Sequence, residues 1–315
     1  LAFTVLRNYQ NAHCLILETE HAAVRESAKN LSSDYEKIKV DHSGLIDLGD
    51  LKSKIKDNTV LVSVALANNE LGTIQPLSDI SRILQEVRDQ RLKTKNLTPI
   101  YLHSDASQAM NLIDLSVARL GVDLLTINAA KVYGPKGIGA LYVARGIKLS
   151  PITFGGGQEM GLRSGTENVP SLVGFSVASE LAKKHLVSSR KQYQVLTKTF
   201  REIIEQKSKI IPLWLGNPKH QLANFTPVCF DGLDAERLIF KLEDRGIYVS
   251  TGAACAASKG QKSHVLSAIG LSDSEIAGSL RITLGKDTTI EDIKTAADNL
   301  AEVVNLEARR LKLID

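Results

Sequence analysis

Lys131 stands between an apolar run, TIN (126–128), two alanines and a glycine-rich turn, VYGPKGIG (132–139). An amine so placed is either a solvated turn residue or a nucleophile whose pKa is lowered by its apolar surroundings. Asp105 closes another apolar run, PIYLHSD (99–105). His21 follows a third in ETEH, and Asn68 and Asn69 follow a fourth in ANNELG. Each of these residues alone reads as a turn or cap residue. Together they place an amine, a carboxylate, an imidazole and amides at the ends of successive apolar runs. The chemistry that uses such a set is that of pyridoxal phosphate, whose carbonyl needs an amine and whose ring nitrogen needs a carboxylate to keep it protonated. The alanines and the tight turn around Lys131 predict a partly desolvated amine.

The elements that must position these residues are legible as alternating patterns. HCLILE (13–18), TVLVSVAL (59–66), PIYLHSD (99–105), VDLLTIN (122–128) and IGALYVA (138–144) read as buried strands, several of them apolar on both faces, as in a parallel sheet covered by helices. Between them, 76–92 carries Leu77, Ile80, Ile83, Leu84 and Val87 at helical spacing. Residues 170–207 also read as helix. This βαβ alternation predicts an α/β fold, a doubly wound and mainly parallel sheet whose ligands lie beyond the carboxyl ends of the strands. From about residue 222 the pattern becomes α+β, ending in an amphipathic helix with capping-box spacing at Thr288 and Glu291. We therefore expect a large domain over 1–180 and a smaller one over 181–315.

Bulk composition excludes several classes. A net charge of +4, with basic residues dispersed among acidic ones, provides no footprint for nucleic acid. No apolar stretch is long enough to span a membrane. Cys14, Cys229 and Cys255 form no paired motif, so neither a disulfide framework nor a zinc site is expected, and a reducing, cytoplasmic setting is the default. Cys14 and Cys229 fall in apolar strands and read as structural. Cys255 lies in a tract, GAACAASKGQKS, with no apolar residue larger than alanine to bury it, which suits a reactive thiolate. The chain opens on Leu1 in a helix-like stretch and reads as N-terminally incomplete.

HSDASQ (103–108), Lys131 with VYGPKGIGALYV after it, GGGQEMGLRSGTEN (155–168) and STGAACAAS (250–258) together resemble the cysteine desulfurases, pyridoxal-phosphate-dependent members of the class V aminotransferases. The resemblance runs from about residue 1 to 300. It implies a fold type I enzyme, a homodimer, L-cysteine as substrate, L-alanine as product, and delivery of sulfur to an acceptor scaffold protein for iron–sulfur cluster or thio-cofactor assembly. It further implies roles for individual residues. Lys131 carries the cofactor and moves the α-carbon proton, Asp105 pairs with the ring nitrogen, and Gln108 bonds the phenolic oxygen. His21 stacks on the ring and serves as acid or base. Asn69 and Arg281 hold the substrate carboxylate, and Asn69 and Asn128 also line the cofactor. Thr166 reaches the cofactor phosphate of the other subunit, and Cys255 becomes the persulfide.

The chain also departs from the family pattern. The opening segment with its phosphate-gripping turn is missing, and Asn128 and Ala130 replace the usual serine and histidine. Each lost charge-assisted contact removes roughly 1.5–3 kcal/mol, so two weaken cofactor binding by on the order of a hundredfold. Two alternatives to a working desulfurase therefore stand: an impaired paralogue that binds sulfur-transfer partners, and a selenocysteine lyase.

Overall fold

The computed structural model describes residues 1–32, 34–252 and 262–315. They form two compact units. The first comprises Leu1–Val40, Ile46–Asn68 and Gln75–Leu186, and the second comprises Asp41–Leu45, Asn69–Ile74 and Val187–Asp315. The division thus falls after Leu186 rather than at 180, and two short stretches of the N-terminal half belong to the second unit.

The first unit holds a six-stranded sheet of β1 (His13–Leu17), β2 (Asp34–Ile38), β3 (Thr59–Ser63), β4 (Tyr101–Asp105), β5 (Leu124–Asn128) and β6 (Gly139–Val143), in the order β2-β1-β3-β4-β5-β6. The first five are parallel, and β6 runs antiparallel to β5. The order reverses between β1 and β3, the switch point at which a doubly wound sheet opens a crevice beyond its carboxyl ends. β1 and β3 are buried along their whole length, which explains their unbroken apolar runs. Helix α1 (Ala22–Leu31) crosses from β1 to β2, and α2 (Leu48–Lys54) from β2 to β3. Helix α3 (Leu77–Lys93) crosses from β3 to β4 and buries Leu77, Ile80, Ile83 and Leu84. The short α4 (Val117–Leu120) leads into β5, and the opening residues form a 3-10 helix, Ala2–Asn8, whose Phe3, Val5 and Leu6 enter the core.

Two strands differ from expectation. β2, with the sequence DYEKI, lies at the sheet edge, where charged side chains are tolerated and the apolar signal is lost. β6 occupies the other edge, so it is a strand but not a buried one: Gly139 and Ala140 are exposed. Its approach to β5 demands Gly139, because a Cβ there would stand 2.5 Å from the Ile127 carbonyl oxygen.

A long helix, α5 (Val169–Lys207), leaves the first unit and continues into the second. The second unit contains a four-stranded antiparallel sheet in the order β7-β8-β10-β9, formed by β7 (Leu213–Trp214), β8 (Val228–Cys229), β9 (Ser250–Thr251) and β10 (Ser279–Arg281). Helices α6 (Ala235–Glu243), α7 (His264–Ala268), α8 (Asp273–Ala277) and α9 (Ile290–Arg310) complete it. The capping box of α9 is one residue later than expected. Thr289 accepts the Asp292 N–H while Asp292 accepts the Thr289 N–H, because Thr288 Oγ1 is taken by the Gly285 N–H.

Candidate active site

Within the first unit, the carboxyl ends of the adjacent parallel strands β1, β3, β4 and β5 present most of the expected residues on one edge of the sheet. Asp105 is the last residue of β4, and its backbone is tied on both sides. Its carbonyl accepts the Leu66 N–H at 2.9 Å, and the next N–H, of Ala106, donates to the Thr126 carbonyl at 2.8 Å. Its Oδ1 accepts the Ser107 N–H at 2.9 Å, which fixes the carboxylate over the strand end. Gln108 follows on the same half-buried turn. His21 caps α1, with Nδ1 accepting the Ala23 N–H at 3.1 Å. A neutral His21 ring therefore carries its proton on Nε2.

Lys131 sits on a 3-10 turn, Ala129–Val132, that leaves β5 directly. Ala129 and Val132 anchor the turn by packing against Phe175 and Ala178. Asn128 caps it, its Oδ1 accepting the Ala130 N–H at 2.9 Å. The expectation of a desolvated Lys131 is not met within this chain. The turn sends its two apolar residues inward, so Ala130 and Lys131 are left exposed. Thr166 is exposed on the irregular stretch before α5, outside the strand-end group.

In the second unit the structure brings Asn69 and Arg281 together across 212 residues of sequence. Arg281 Nη1 donates to the Asn69 carbonyl at 3.4 Å. Cys255 lies outside the described residues. Cys14 and Cys229 are buried free thiols, as their strand positions implied. Burial drives the Cys14 thiol far above its usual range and pushes Cys229 up to about 11, so neither ionises near neutrality.

Two buried groups near the strand ends were not legible in the sequence. Glu20 accepts the Ala65 N–H on Oε1 at 2.6 Å. Burial first, and the charge of Asp105 second, raise its pKa well above the ordinary carboxylate value. His103 lies two residues before Asp105, with Nδ1 at 2.8 Å from Ser63 Oγ and Nε2 at 2.9 Å from Thr126 Oγ1. This ladder joins β3, β4 and β5 just beneath the site and fixes how their ends align. One polar residue in the middle of each of three apolar runs was the signal available for it.

Burial lowers His103 to about 4 from 6.5, so the ring is neutral in the fold and protonates in the unfolded chain first. Its contribution to stability is complete above 6.5 and is lost as pH falls toward 4. His103→Gln removes that dependence. The stability advantage of the wild type over the variant should shrink by about 2–3 kcal/mol between pH 7 and 4.5, measured by denaturant unfolding. A difference that stays constant over that range contradicts a neutral buried ladder.

The aminotransferase class-V family model matches residues 3–295. Cysteine desulfurase IscS 1 of Archaeoglobus fulgidus is 40% identical over 304 residues, covering 95% of this chain and 75% of that relative. Among solved structures, a NifS-like protein superposes with a TM-score of 0.85 at 32% identity, covering 96% of this chain and 78% of its own. SspA in complex with cysteine superposes with a TM-score of 0.71 at 33% identity, covering 89% and 76% respectively. The chain belongs to the class-V aminotransferases and, among them, to the cysteine desulfurases.

That membership implies pyridoxal phosphate as cofactor. The donor set fits it: a fixed carboxylate for the ring nitrogen ends β4, and an exposed primary amine for the carbonyl follows β5, the neighbouring strand. An imidazole follows β1 on the same edge.

Proposed function

We propose that the protein is a cysteine desulfurase that moves the sulfur of L-cysteine onto Cys255 and releases L-alanine. The observation that carries the reading is the pairing of β4 with β5, Asp105 opposite Thr126, which sets the Asp105 carboxylate and the Lys131 turn at neighbouring strand ends. Bound pyridoxal phosphate supplies an electron sink for the substrate's α carbon. Asp105 holds the proton on the ring nitrogen, and Gln108 and Asn128 are assigned as further cofactor contacts. Lys131 Nζ would hold the cofactor's carbonyl and would move the proton of the substrate's α carbon. His21, with its proton on Nε2, is placed to give or take a proton at the ring face. The Arg281 guanidinium, supported by Asn69, suits the two oxygens of the substrate carboxylate.

Sulfur transfer is then a displacement at sulfur. The Cys255 thiolate attacks the substrate sulfur, an S–S bond forms and the Cβ–S bond breaks. The electron pair stays with the amino-acid fragment, which takes up a proton and leaves as alanine. Cys255 is left as a persulfide for a sulfur-acceptor scaffold protein. A homodimer is part of the reading. Thr166 is exposed, as a residue reaching a partner's cofactor must be, and Val173, Val177 and Leu181 form an exposed apolar stripe on α5, at 58%, 52% and 51% exposure. No helix among the described residues is long and apolar enough to cross a membrane. Reduced, buried Cys14 and Cys229 suit the reducing cytoplasm.

The test is to supply the protein with pyridoxal phosphate, a reductant and either L-cysteine or L-selenocysteine, and to measure alanine and the sulfide or selenide released. Equal yields of the two support the proposal. Turnover of selenocysteine alone supports the lyase, and turnover of neither supports the partner-binding paralogue.

A further inference from the structure

Glu70 has no role in the site described above, yet its carboxylate is buried, at 5% exposure, directly after Asn69. Its Oε2 accepts the Ser263 hydroxyl proton at 2.6 Å. The same Ser263 oxygen accepts the Leu266 N–H at 3.1 Å and so caps α7. On the other side, a Cβ placed on Gly252 would stand 3.1 Å from Glu70 Oε2, which means that the carboxylate lies hard against the Gly252 backbone. In sequence, Gly252 and Ser263 bracket Cys255. The positive charge of Arg281 acts on the same carboxylate, and Arg281 also donates to the Asn69 carbonyl. One side chain thus meets the chain before Cys255 and the chain after it, and it lies within the field of the arginine assigned to the substrate carboxylate.

We propose that Glu70 is a positioning residue for sulfur transfer, tying the chain on both sides of Cys255 to the Asn69–Arg281 pair. The proposal rests on the desulfurase reading. Burial pushes the Glu70 carboxyl up to about 7 from 4.5, with Ser263 and Arg281 drawing it back. Of the neighbours named, Arg281 on β10 brings a charge, while Ser263 at the cap of α7, Leu266 on α7 and Gly252 after β9 bring none. Ionised Glu70 accepts the hydrogen bond that the Ser263 hydroxyl donates and leaves the serine's lone pairs to the Leu266 N–H. Protonated Glu70 competes for those lone pairs. The tie is therefore tightest above about pH 7 and loosens below it.

The experiment follows persulfide formation on Cys255 in the cofactor-loaded protein by thiol alkylation and mass spectrometry, from pH 6 to 8.5. Glu70→Ala should slow it at least ~10-fold at pH 7.5 while the visible cofactor band and cofactor affinity stay unchanged. Glu70→Gln, which keeps an acceptor for Ser263, should stay within about threefold of wild type at pH 7.5 and lose the inflection near pH 7. A readout independent of turnover comes from the cofactor-free protein. An acid whose pKa is raised on folding loses its stabilising contribution as pH rises from 4.5 through 7, so Glu70→Gln should raise the Tm by a few degrees at pH 8 and leave it unchanged at pH 4.5. Should Glu70→Ala fail to fold, the Glu70→Gln pH profile carries the test. Wild-type persulfide rates in Glu70→Ala, or an unshifted inflection in Glu70→Gln, overturn the tie alone. A wild type that forms no persulfide removes the desulfurase reading and the tie with it.

Discussion

Cys255→Ser should lower sulfide release from L-cysteine by at least ~10³-fold while the visible spectrum of the bound cofactor and its affinity are unchanged. The size of the effect follows from the step assigned to Cys255. Serine has the same shape, but its hydroxyl stays protonated near neutrality, so no anion is present to attack the substrate sulfur. The other two thiols cannot substitute, because Cys14 and Cys229 are buried and their ionisation is suppressed by desolvation. The preserved spectrum is the informative half. Apart from Asn69 and Thr166, the residues assigned to the cofactor lie at the strand ends of the first unit, and none of them neighbours Cys255 in sequence. Sulfide assay and absorption spectroscopy on one preparation decide the matter, and wild-type turnover in the serine variant would remove Cys255 from the mechanism.

Asp105→Asn carries the second large effect. Asparagine keeps an oxygen to accept the Ser107 N–H, now made at 2.9 Å, so the turn after β4 should persist. What is lost is the negative charge that keeps the ring nitrogen protonated. We expect turnover to fall on the order of 10²–10³-fold, the range seen when one electrostatic partner of a developing charge is removed. Glu20 supplies an internal check. The charge of Asp105 is the second cause of its raised pKa, so the variant should bring the Glu20 carboxyl closer to the ordinary range, as read by carboxyl NMR titration. Wild-type turnover in Asp105→Asn would show that this carboxylate does not serve the ring.

Much of the first unit was legible because β1 and β3 are buried throughout, β4 over its middle and β5 at its start, and burial on both faces leaves an unmistakable apolar run. Asp105 and Lys131 could be placed for the same reason: each closes or follows such a run, and a doubly wound sheet puts those ends on one edge. What escaped was decided by tertiary context. DYEKI is a strand because the edge of a sheet tolerates charge, and nothing in its own sequence says so. Lys131 looked desolvated because its neighbours are small and apolar, but a single 3-10 turn points Ala129 and Val132 inward and leaves the amine outside. Thr288 matched a capping box until Gly285 claimed its hydroxyl. The assignment of residues 69–74 to the second unit was invisible in the sequence. That transfer allows Asn69 to meet Arg281 and Glu70 to meet Ser263, pairs whose members are about two hundred residues apart in sequence.

The central claim is that Lys131 and Asp105 serve one cofactor. It is tested most directly by incubating the protein with pyridoxal phosphate, reducing with borohydride, and mapping the fixed pyridoxyl label by peptide mass spectrometry. The account predicts a single label on Lys131, formed from a visible absorption band whose wavelength shifts in Asp105→Asn. A label spread over surface lysines, or a band indifferent to Asp105, would contradict it.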